Sequence, residues 1–316
     1  MPKITACSTL AFSLSSLEVA LQHIANYGLK HVEIAEMLTH SKHFPVEAVD
    51  PVGVKTLLQK YALKPVAANV TLTAYYSGQT GTAKPPVGKH SSAETEEIKK
   101  AKQDCSHYRL HVKSEADKYA VRVRTLIDKA KIADIPMLVL NAGRKEDMED
   151  LDRDLRAAAE VLDKQAEYAK QYGIKILLEM PHAWLVYDDV EKSKQLLSYL
   201  RSDNIGVLID SSHWQVSGYD IDDYVRLLQD RLWHIHLRDA AGKDTPAGNY
   251  LLEITPGKGE VDFELLGKTL DQYGYRGNVT LETEYKNYKD PAEVDHENAF
   301  ALAYLKSVGW EVADTK

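Results

Sequence analysis

The sequence predicts an α/β protein that folds as a (β/α)8 TIM barrel with a long insertion after the third strand. Two observations support this fold class. Short apolar runs alternate with helix-like segments along the whole chain, as expected for parallel strands that are covered by helices. The 316 residues also fit one barrel of this kind with insertions. We therefore expect residues 1–316 to form a single barrel domain.

Each element follows from its apolar pattern and its flanking residues. In the first half of the chain, strands are expected at residues 3–8, 31–34, 65–70 and 136–141. Helices are expected at residues 15–27, 49–61, 188–200, 222–229, 263–273 and 291–307, where serine and proline mark helix starts. An open doubly wound sheet is the alternative. It is disfavoured because residues 8–12 (STLAF) replace the glycine-rich fingerprint expected after the first strand.

The insertion covers residues 71–120. Residues 71–92 are rich in Gly, Thr, Ser, Pro and Tyr, and a long charged helix is expected at about residues 93–132, broken near 105–111. Long loops in compact domains are usually functional or disordered. Because this loop follows strand three on the catalytic rim, we predict a substrate lid or a partner-binding flap.

Composition narrows the class of protein. The net charge of −8 and the absence of a dense Lys/Arg run argue against nucleic-acid binding. Two cysteines without a CxxC pair fit a reducing compartment. The N-terminus lacks the pattern of a signal peptide, and no apolar run approaches the roughly 18 residues of a membrane span. We expect a cytoplasmic protein that does not bind membranes.

Four apolar runs end in a side chain that can bind a metal. They are residues 176–179 (ILLE), 207–210 (VLID), 233–236 (WHIH) and 279–282 (VTLE), ending in Glu179, Asp210, His236 and Glu282. Near-continuous apolar runs are typical of buried parallel strands, and in a barrel their carboxyl ends meet at one rim. A lone carboxylate at a strand end is usually a cap or a surface group. Four such residues on consecutive strands predict a site for a divalent cation.

The residue types indicate the metal and its chemistry. Carboxylates suit Mg²⁺ or Mn²⁺, and the imidazole shifts the preference to Mn²⁺, with Co²⁺ or Zn²⁺ as alternatives. A cation that polarises a carbonyl and a neighbouring hydroxyl acidifies the adjacent C–H and stabilises an enediolate. Carboxylates beside the substrate can also transfer protons.

Five stretches resemble the xylose-isomerase-like barrel superfamily of sugar (phosphate) isomerases and epimerases. They are residues 176–182 (ILLEMPH), 207–213 (VLIDSSH), 234–239 (HIHLRD), 256–263 (PGKGEVDF) and 281–282 (LE). The resemblance implies that Glu179, Asp210, His236 and Glu282 are metal ligands and that Glu179 and Glu282 are also the acid/base pair. It further implies that His213 and Arg238 bind substrate oxygens.

The chain also departs from this family. Its free-ketose 3-epimerases carry a second glutamate where Leu185 stands, so His182 is a candidate base, or else a loop histidine. Trp184 and Trp214 can stack on a sugar ring or simply pack. Glu33, on strand two, can reach a substrate hydroxyl or form a hydrogen bond in the core.

Two further features carry weaker interpretations. Asp210-Ser-Ser-His213 is similar to a motif of endonuclease-IV-type repair enzymes, but the additional zinc ligands of that family are missing, which argues against DNA repair. The segment Gly257-Lys258-Gly259 could bind a phosphate. It also fits a structural turn before a helix that is capped by Asp262, and we favour the turn.

We predict a divalent-metal-dependent isomerase or epimerase that acts on a sugar or keto-sugar through an enediolate. The alternative is a metal-dependent lyase, either a C-glycoside deglycosylase-like enzyme acting on 3-keto glycosides or a keto-polyol dehydratase. A non-catalytic sensor is a third hypothesis. We expect a homo-oligomer, or a hetero-oligomer with a small subunit, as the resemblance to C-glycoside-cleaving barrels implies.

Overall fold

Eight parallel strands close into a barrel. The computed structural model describes residues 2–37, 41–70, 72–75, 105–143, 150–182, 185–243 and 250–313. Strands β1 to β8 each pair with the next, and β8 pairs with β1. Their bounds are Ala6–Ser8, His31–Met37, Lys64–Val70, Met137–Leu140, Lys175–Glu179, Ile205–Asp210, Leu232–Leu237 and Asn278–Leu281. This closed sheet confirms the predicted (β/α)8 fold and excludes the open doubly wound sheet.

Nine α-helices are described, and most follow a barrel strand. Helices α1 to α9 span Leu17–Ala25, Pro51–Lys60, Lys113–Ile132, Leu151–Lys170, Val190–Tyr199, Ser211–Ser217, Ile221–Leu228, Phe263–Gln272 and Pro291–Ser307. Side chains of Ser16, Asp50 and Asp290 accept hydrogen bonds from backbone amides at the starts of α1, α2 and α9, which satisfies amides that helix geometry leaves unpaired. Helix α4 was not assigned from the sequence.

The barrel encloses a small apolar cluster below the polar rim. Ala67, Met137, Val139, Leu177 and Leu208 form it, and Trp233 packs against them. The pairing of β6 with β7 shifts register here, so that Val207 lies opposite Leu232 and Leu208 opposite His234. Gly206 leaves room for the indole, since a Cβ at that position would lie 2.2 Å from the Trp233 ring. The interior is therefore a packed core, as expected for this fold.

Short strands extend the barrel at both ends. Lys3–Ile4 pairs with Glu311–Val312, so the predicted first strand is split and only its second part lines the barrel. Ser41–Lys42 returns antiparallel to the end of β2. Asp239–Gly242 and Tyr250–Ile254 form an antiparallel hairpin after β7. This hairpin lies at the same end of the barrel as the polar rim.

The segment after β3 contains the break that was expected near residues 105–111. Cys105–His107 pairs antiparallel with Thr73–Tyr75, and a helix begins at Lys113. Residues 113–120 therefore belong to a barrel helix and not to the insertion. Residues 76–104 lie outside the described residues, and the lid or flap stays a prediction. Within the described parts of the chain, no helix is both long and apolar enough to span a membrane.

Candidate metal centre and active site

The four predicted ligands lie at the carboxyl ends of β5 to β8. One ligating atom from each of Glu179, Asp210 and His236 lies within 4.8 Å of the other two. His236 Nδ1 is 3.9 Å from Asp210 Oδ2 and 3.1 Å from Glu282 Oε2. All four residues are buried. The structure thus brings together the side chains that the sequence singled out, because parallel strands of similar register end at one rim.

These residues fit a divalent metal ion. His236 Nδ1 is buried and has no hydrogen-bond partner among the described residues, although two carboxylates lie nearby. Asp210 Oδ1 accepts hydrogen bonds from Ser212 N at 2.7 Å and from Ser212 Oγ at 2.6 Å, which fixes the carboxylate and leaves Oδ2 facing the centre. Three carboxylates and one imidazole match the ligand preferences of divalent ions such as Mn²⁺.

Glu33 holds the imidazole of His236 from below, and His234 contacts the same carboxylate. His236 Nε2 donates a hydrogen bond to Glu33 Oε2 at 3.0 Å, and His234 Nε2 lies 3.3 Å from the same oxygen. A hydrogen bond of this kind selects the imidazole tautomer and leaves the other ring nitrogen to bind a metal. Of the two interpretations of Glu33, the structure shows the hydrogen bond in the core, since Glu33 is fully buried and contacts histidines; a contact with substrate stays a prediction.

Asn69 is a site residue to which the sequence analysis gave no role. Its Nδ2 donates a hydrogen bond to Glu282 Oε1 over 3.1 Å. Asn69 lies near the end of β3 and is buried. A polar amide inside the apolar run of β3 was the available signal, because buried polar groups need partners.

Arg238 joins the carboxylates of the site. Its Nη2 lies 2.7 Å from Asp210 Oδ2, and its Nη1 lies 3.6 Å from Glu282 Oε2 and 3.3 Å from Glu284 Oε2. Its Nε donates to Ser212 Oγ at 3.0 Å. Burial alone would lower the pKa of Arg238, but the surrounding carboxylates raise it. Arg238 is therefore a fixed positive charge beside the ligands.

His182 and His213 lie together beside Glu179. Their ring centroids are 3.9 Å apart with a tilt of 33°, and His213 Nε2 is 3.9 Å from Glu179 Oε1. His213 Nε2 is also 3.3 Å from Arg238 Nη2. Burial and the neighbouring Arg238 lower the pKa of His213, which keeps its imidazole neutral. A neutral His213 and the ring of His182 thus flank the predicted acid/base residue.

Two further groups of the site, Glu179 and His236, have pKa values displaced by burial and by neighbouring charges. Burial, together with the charges of Asp210 and Glu282, raises the pKa of Glu179 to about 8. Burial would lower the pKa of His236, but the carboxylates of Glu282 and Glu33 raise it well above its usual value. Clusters of such displaced groups in a cleft are typical of functional sites.

The remaining sequence interpretations concern two tryptophans near the site and the glycine turn at residues 257–259. Trp184 lies outside the described residues. Trp214 packs in the apolar core with its indole N–H donating to Tyr219 O at 2.7 Å, which agrees with the packing interpretation; stacking on a sugar ring stays a prediction. The carboxylate of Asp239 accepts hydrogen bonds from the backbone amides of Gly257, Gly259 and Val261. These amides are committed to the turn, as the preferred interpretation predicts. Asp262 caps α8.

Comparison with known proteins agrees with this architecture. The sequence profile of the xylose isomerase-like TIM barrel family matches residues 21–305, and the chain belongs to this family. Solved structures with the same fold include the IOLI protein with a binding zinc atom, with a TM-score of 0.70, 17% identity and coverage of 96% of this chain and 97% of that one. Another is D-psicose 3-epimerase with D-tagatose from Clostridium cellulolyticum H10, with a TM-score of 0.65, 14% identity and coverage of 98% and 100%.

Curated relatives match part of the chain. An inosose isomerase from Halalkalibacterium halodurans is 28% identical over 130 residues, which cover 40% of this chain and 45% of that protein. An inosose dehydratase from Clostridium perfringens is 28% identical over 148 residues, covering 43% and 48%. The match thus spans about half the length of these curated relatives.

Proposed function

We propose that the protein is a divalent-metal-dependent isomerase or epimerase that acts on a sugar or keto-polyol through an enediolate. The observation that carries this proposal is the convergence of Glu179, Asp210 and His236 within 4.8 Å, with Glu282 3.1 Å from His236. The names of the relatives, inosose isomerase and inosose dehydratase, support a keto-polyol or keto-sugar as the substrate class. Mn²⁺ is the metal we propose, because one imidazole accompanies three carboxylates.

Each residue then has a defined task. A divalent cation bound by Glu179, Asp210, His236 and Glu282 would polarise a keto group and its neighbouring hydroxyl and so acidify the adjacent C–H. Arg238 and His213 bind substrate oxygens. Glu33 and Asn69 hold His236 and Glu282 in orientation. Positioned groups of this kind accelerate reactions because their geometry is fixed before the substrate binds.

The two glutamates, Glu179 and Glu282, carry out the proton transfers. Glu179 and Glu282 come from β5 and β8, which are separated by two strands, so their carboxylates approach a substrate from different sides. One removes the α-proton and the other returns a proton to the opposite face or to the neighbouring carbon. The outcome is epimerisation in the first case and isomerisation in the second.

Dehydration is the second candidate function. Leu185 is buried and apolar at the position where the 3-epimerases carry a second glutamate, whereas His182 lies against His213 beside Glu179. An imidazole at this place could protonate a departing hydroxyl after the enediolate forms. The inosose dehydratases among the relatives support this chemistry.

Deuterium exchange tests the proposal and separates the two reactions. Purified protein with Mn²⁺ is incubated in D₂O with keto-inositols, free ketoses and 3-keto glycosides, and products are followed by NMR. Isomerisation or epimerisation retains all carbons and oxygens and incorporates deuterium, whereas dehydration or glycoside cleavage releases water or an aglycone. Glu282→Gln should abolish exchange while leaving the fold intact. Full activity of that variant would contradict the mechanism.

The assembly, the insertion and the location of the protein remain predictions. We propose a homo-oligomer, with a hetero-oligomer containing a small subunit as the alternative, and a cytoplasmic location. Analytical ultracentrifugation of the isolated chain separates the first two assemblies: a monomer would favour a missing partner subunit. Deletion of residues 76–104 tests the lid, which predicts weaker substrate binding with cation binding unchanged.

A further inference from the structure

A buried chain of alternating charges runs from the hairpin after β7 to the metal centre. Lys286 Nζ lies 2.6 Å from Glu253 Oε1 and 2.9 Å from Glu284 Oε1. Glu284 Oε2 lies 3.3 Å from Arg238 Nη1, and Arg238 Nη2 lies 2.7 Å from Asp210 Oδ2. The side chains of Lys286, Glu253 and Glu284 are 8%, 7% and 9% exposed. These pairs differ from surface ion pairs because they are buried. Removing one partner would leave the other charge buried and uncompensated, which destabilises a protein strongly.

The backbone supports a specific role for this chain. Glu253 has a φ of 68°, in the left-handed region that glycine usually occupies. In the hairpin, Asp239 pairs with Ile254 and Ala241 with Leu251, so two residues lie opposite Ala240 and form a bulge. Bulges redirect side chains and are common near active sites. Here the bulge directs Glu253 onto Lys286.

Two carboxylates compete for the guanidinium of Arg238. Asp210, a proposed cation ligand, and Glu284 both contact its guanidinium. Lys286 offsets the charge of Glu284, which leaves Arg238 closer to Asp210. A guanidinium on Asp210 Oδ2 competes with a cation for that oxygen, since both are positive charges at the same acceptor.

We propose that Lys286 is a positioning residue that determines whether the Arg238 guanidinium lies closer to Glu284 or to Asp210. Through this position Lys286 sets the affinity of the site for its cation. This inference rests on the proposed metal site. Without Lys286, Glu284 attracts Arg238 away from Asp210, and the cation binds more tightly. A purely structural role for Lys286 predicts the opposite sign, because damage to the site weakens binding.

Mn²⁺ titration by calorimetry or electron paramagnetic resonance tests the inference without any substrate. Lys286→Met should tighten Mn²⁺ binding about five- to tenfold, as expected when one nearby positive charge is withdrawn from a ligand. Lys286→Arg should restore the affinity of the unmodified protein. Unchanged or weaker binding in a folded Lys286→Met protein would overturn the inference and leave the proposed function standing.

A charge-balanced double variant separates positioning from net charge. Lys286→Met combined with Glu253→Gln removes one charge of each sign, so the net charge of the site is unchanged and no uncompensated charge is added to the core. Repositioning of Arg238 predicts that the double variant still binds Mn²⁺ more tightly. An affinity equal to that of the unmodified protein would contradict it.

A crystal structure of the same double variant gives a readout independent of the cation. Arg238 should approach Glu284 more closely than 3.3 Å and leave its 2.7 Å contact with Asp210. An unmoved Arg238 would overturn the inference. If the wild-type chain binds no divalent cation, the proposed function is contradicted. The crystal structure of the double variant would still show whether Lys286 positions Arg238.

Discussion

The Nε2 atom of His236 donates a hydrogen bond to Glu33 Oε2 at 3.0 Å, and both side chains are fully buried. Strands β2 and β7 thus meet across the barrel interior just below the candidate metal centre. The contact directs Nδ1 of the same imidazole towards Glu282 and Asp210. Carboxylates in this second layer orient metal-binding histidines and make them more basic.

Replacing Glu33 with Gln should weaken Mn²⁺ binding about tenfold, in the range seen when such orienting partners are removed. The amide can still accept a hydrogen bond but lacks the negative charge. Calorimetric titration measures the change. Glu36→Gln, on the same strand, is the matched control and should keep wild-type affinity. Equal binding by Glu33→Gln and wild type would show that Glu33 does not support His236.

Asn69 should influence catalysis through Glu282. Asn69→Ala removes the 3.1 Å hydrogen bond to Glu282 Oε1, so the carboxylate is no longer held in one orientation. We expect turnover to fall about tenfold or more, with a loss of stability of about 1 kcal/mol from the missing hydrogen bond. Steady-state kinetics and urea unfolding measure the two effects. Asn69→Asp, which would place another negative charge against Glu282, should be worse than Ala. Unchanged turnover in Asn69→Ala would remove Asn69 from the site.

Glu36 should make stability depend on pH. Burial raises its pKa from 4.5 to about 7, although the nearby Arg122 opposes this shift. A raised pKa in the folded state means that the contribution of Glu36 to stability is fully present below about pH 4.5 and is lost as the pH rises through about 7. Glu36→Gln should therefore be more stable than wild type by about 1 to 3 kcal/mol at pH 8 and equal to it near pH 4.

Urea unfolding at pH 4.5, 6 and 8 measures this difference. The matched control is Glu47→Gln, which removes the carboxylate that lies 2.7 Å from Arg122 and is 65% exposed. This control should show no gain in stability at pH 8. A Glu36→Gln protein whose advantage does not grow with pH would contradict the assignment.

The turn before α8 should not tolerate a side chain at Gly259. A Cβ there would lie 2.4 Å from Asp239 Oδ1 and 2.6 Å from the Ala240 carbonyl oxygen, so the turn must move. Gly259→Ala should destabilise the protein by about 1 to 3 kcal/mol, as overpacking usually does. Lys258→Ala, in the same turn, should cost less than about 1 kcal/mol because its ion pair is partly exposed. Thermal unfolding compares the two, and equal melting temperatures would refute the steric argument.

The barrel and the four candidate ligands could be predicted because both depend on local pattern. An apolar run that ends in a carboxylate or imidazole identifies a strand and its functional end at once, as in residues 176–179 and 207–210. Once the strands are parallel and adjacent, their ends must meet. The C-terminal helix could be placed for the same reason, since Pro291 follows the capping residue Asp290.

Contacts between distant residues could not be predicted in this way. Glu33 and His236 are 203 positions apart, and their contact depends on the register with which the barrel closes. The pairing of Cys105–His107 with Thr73–Tyr75 is likewise non-local, and the local sequence pattern gave no sign of it. For Trp214 the sequence left stacking on a sugar and packing both open, because the position of its ring depends on how the short helix α6 packs against the core.

The most direct test of the central claim is the binding of Mn²⁺ to the metal-free protein, measured by calorimetry together with anomalous diffraction. The account predicts one tightly bound ion per chain, between Glu179, Asp210, His236 and Glu282, and its loss in Asp210→Asn with the fold retained. A saturated protein with no ion at these residues, or an Asp210→Asn variant that binds Mn²⁺ as wild type does, would contradict it.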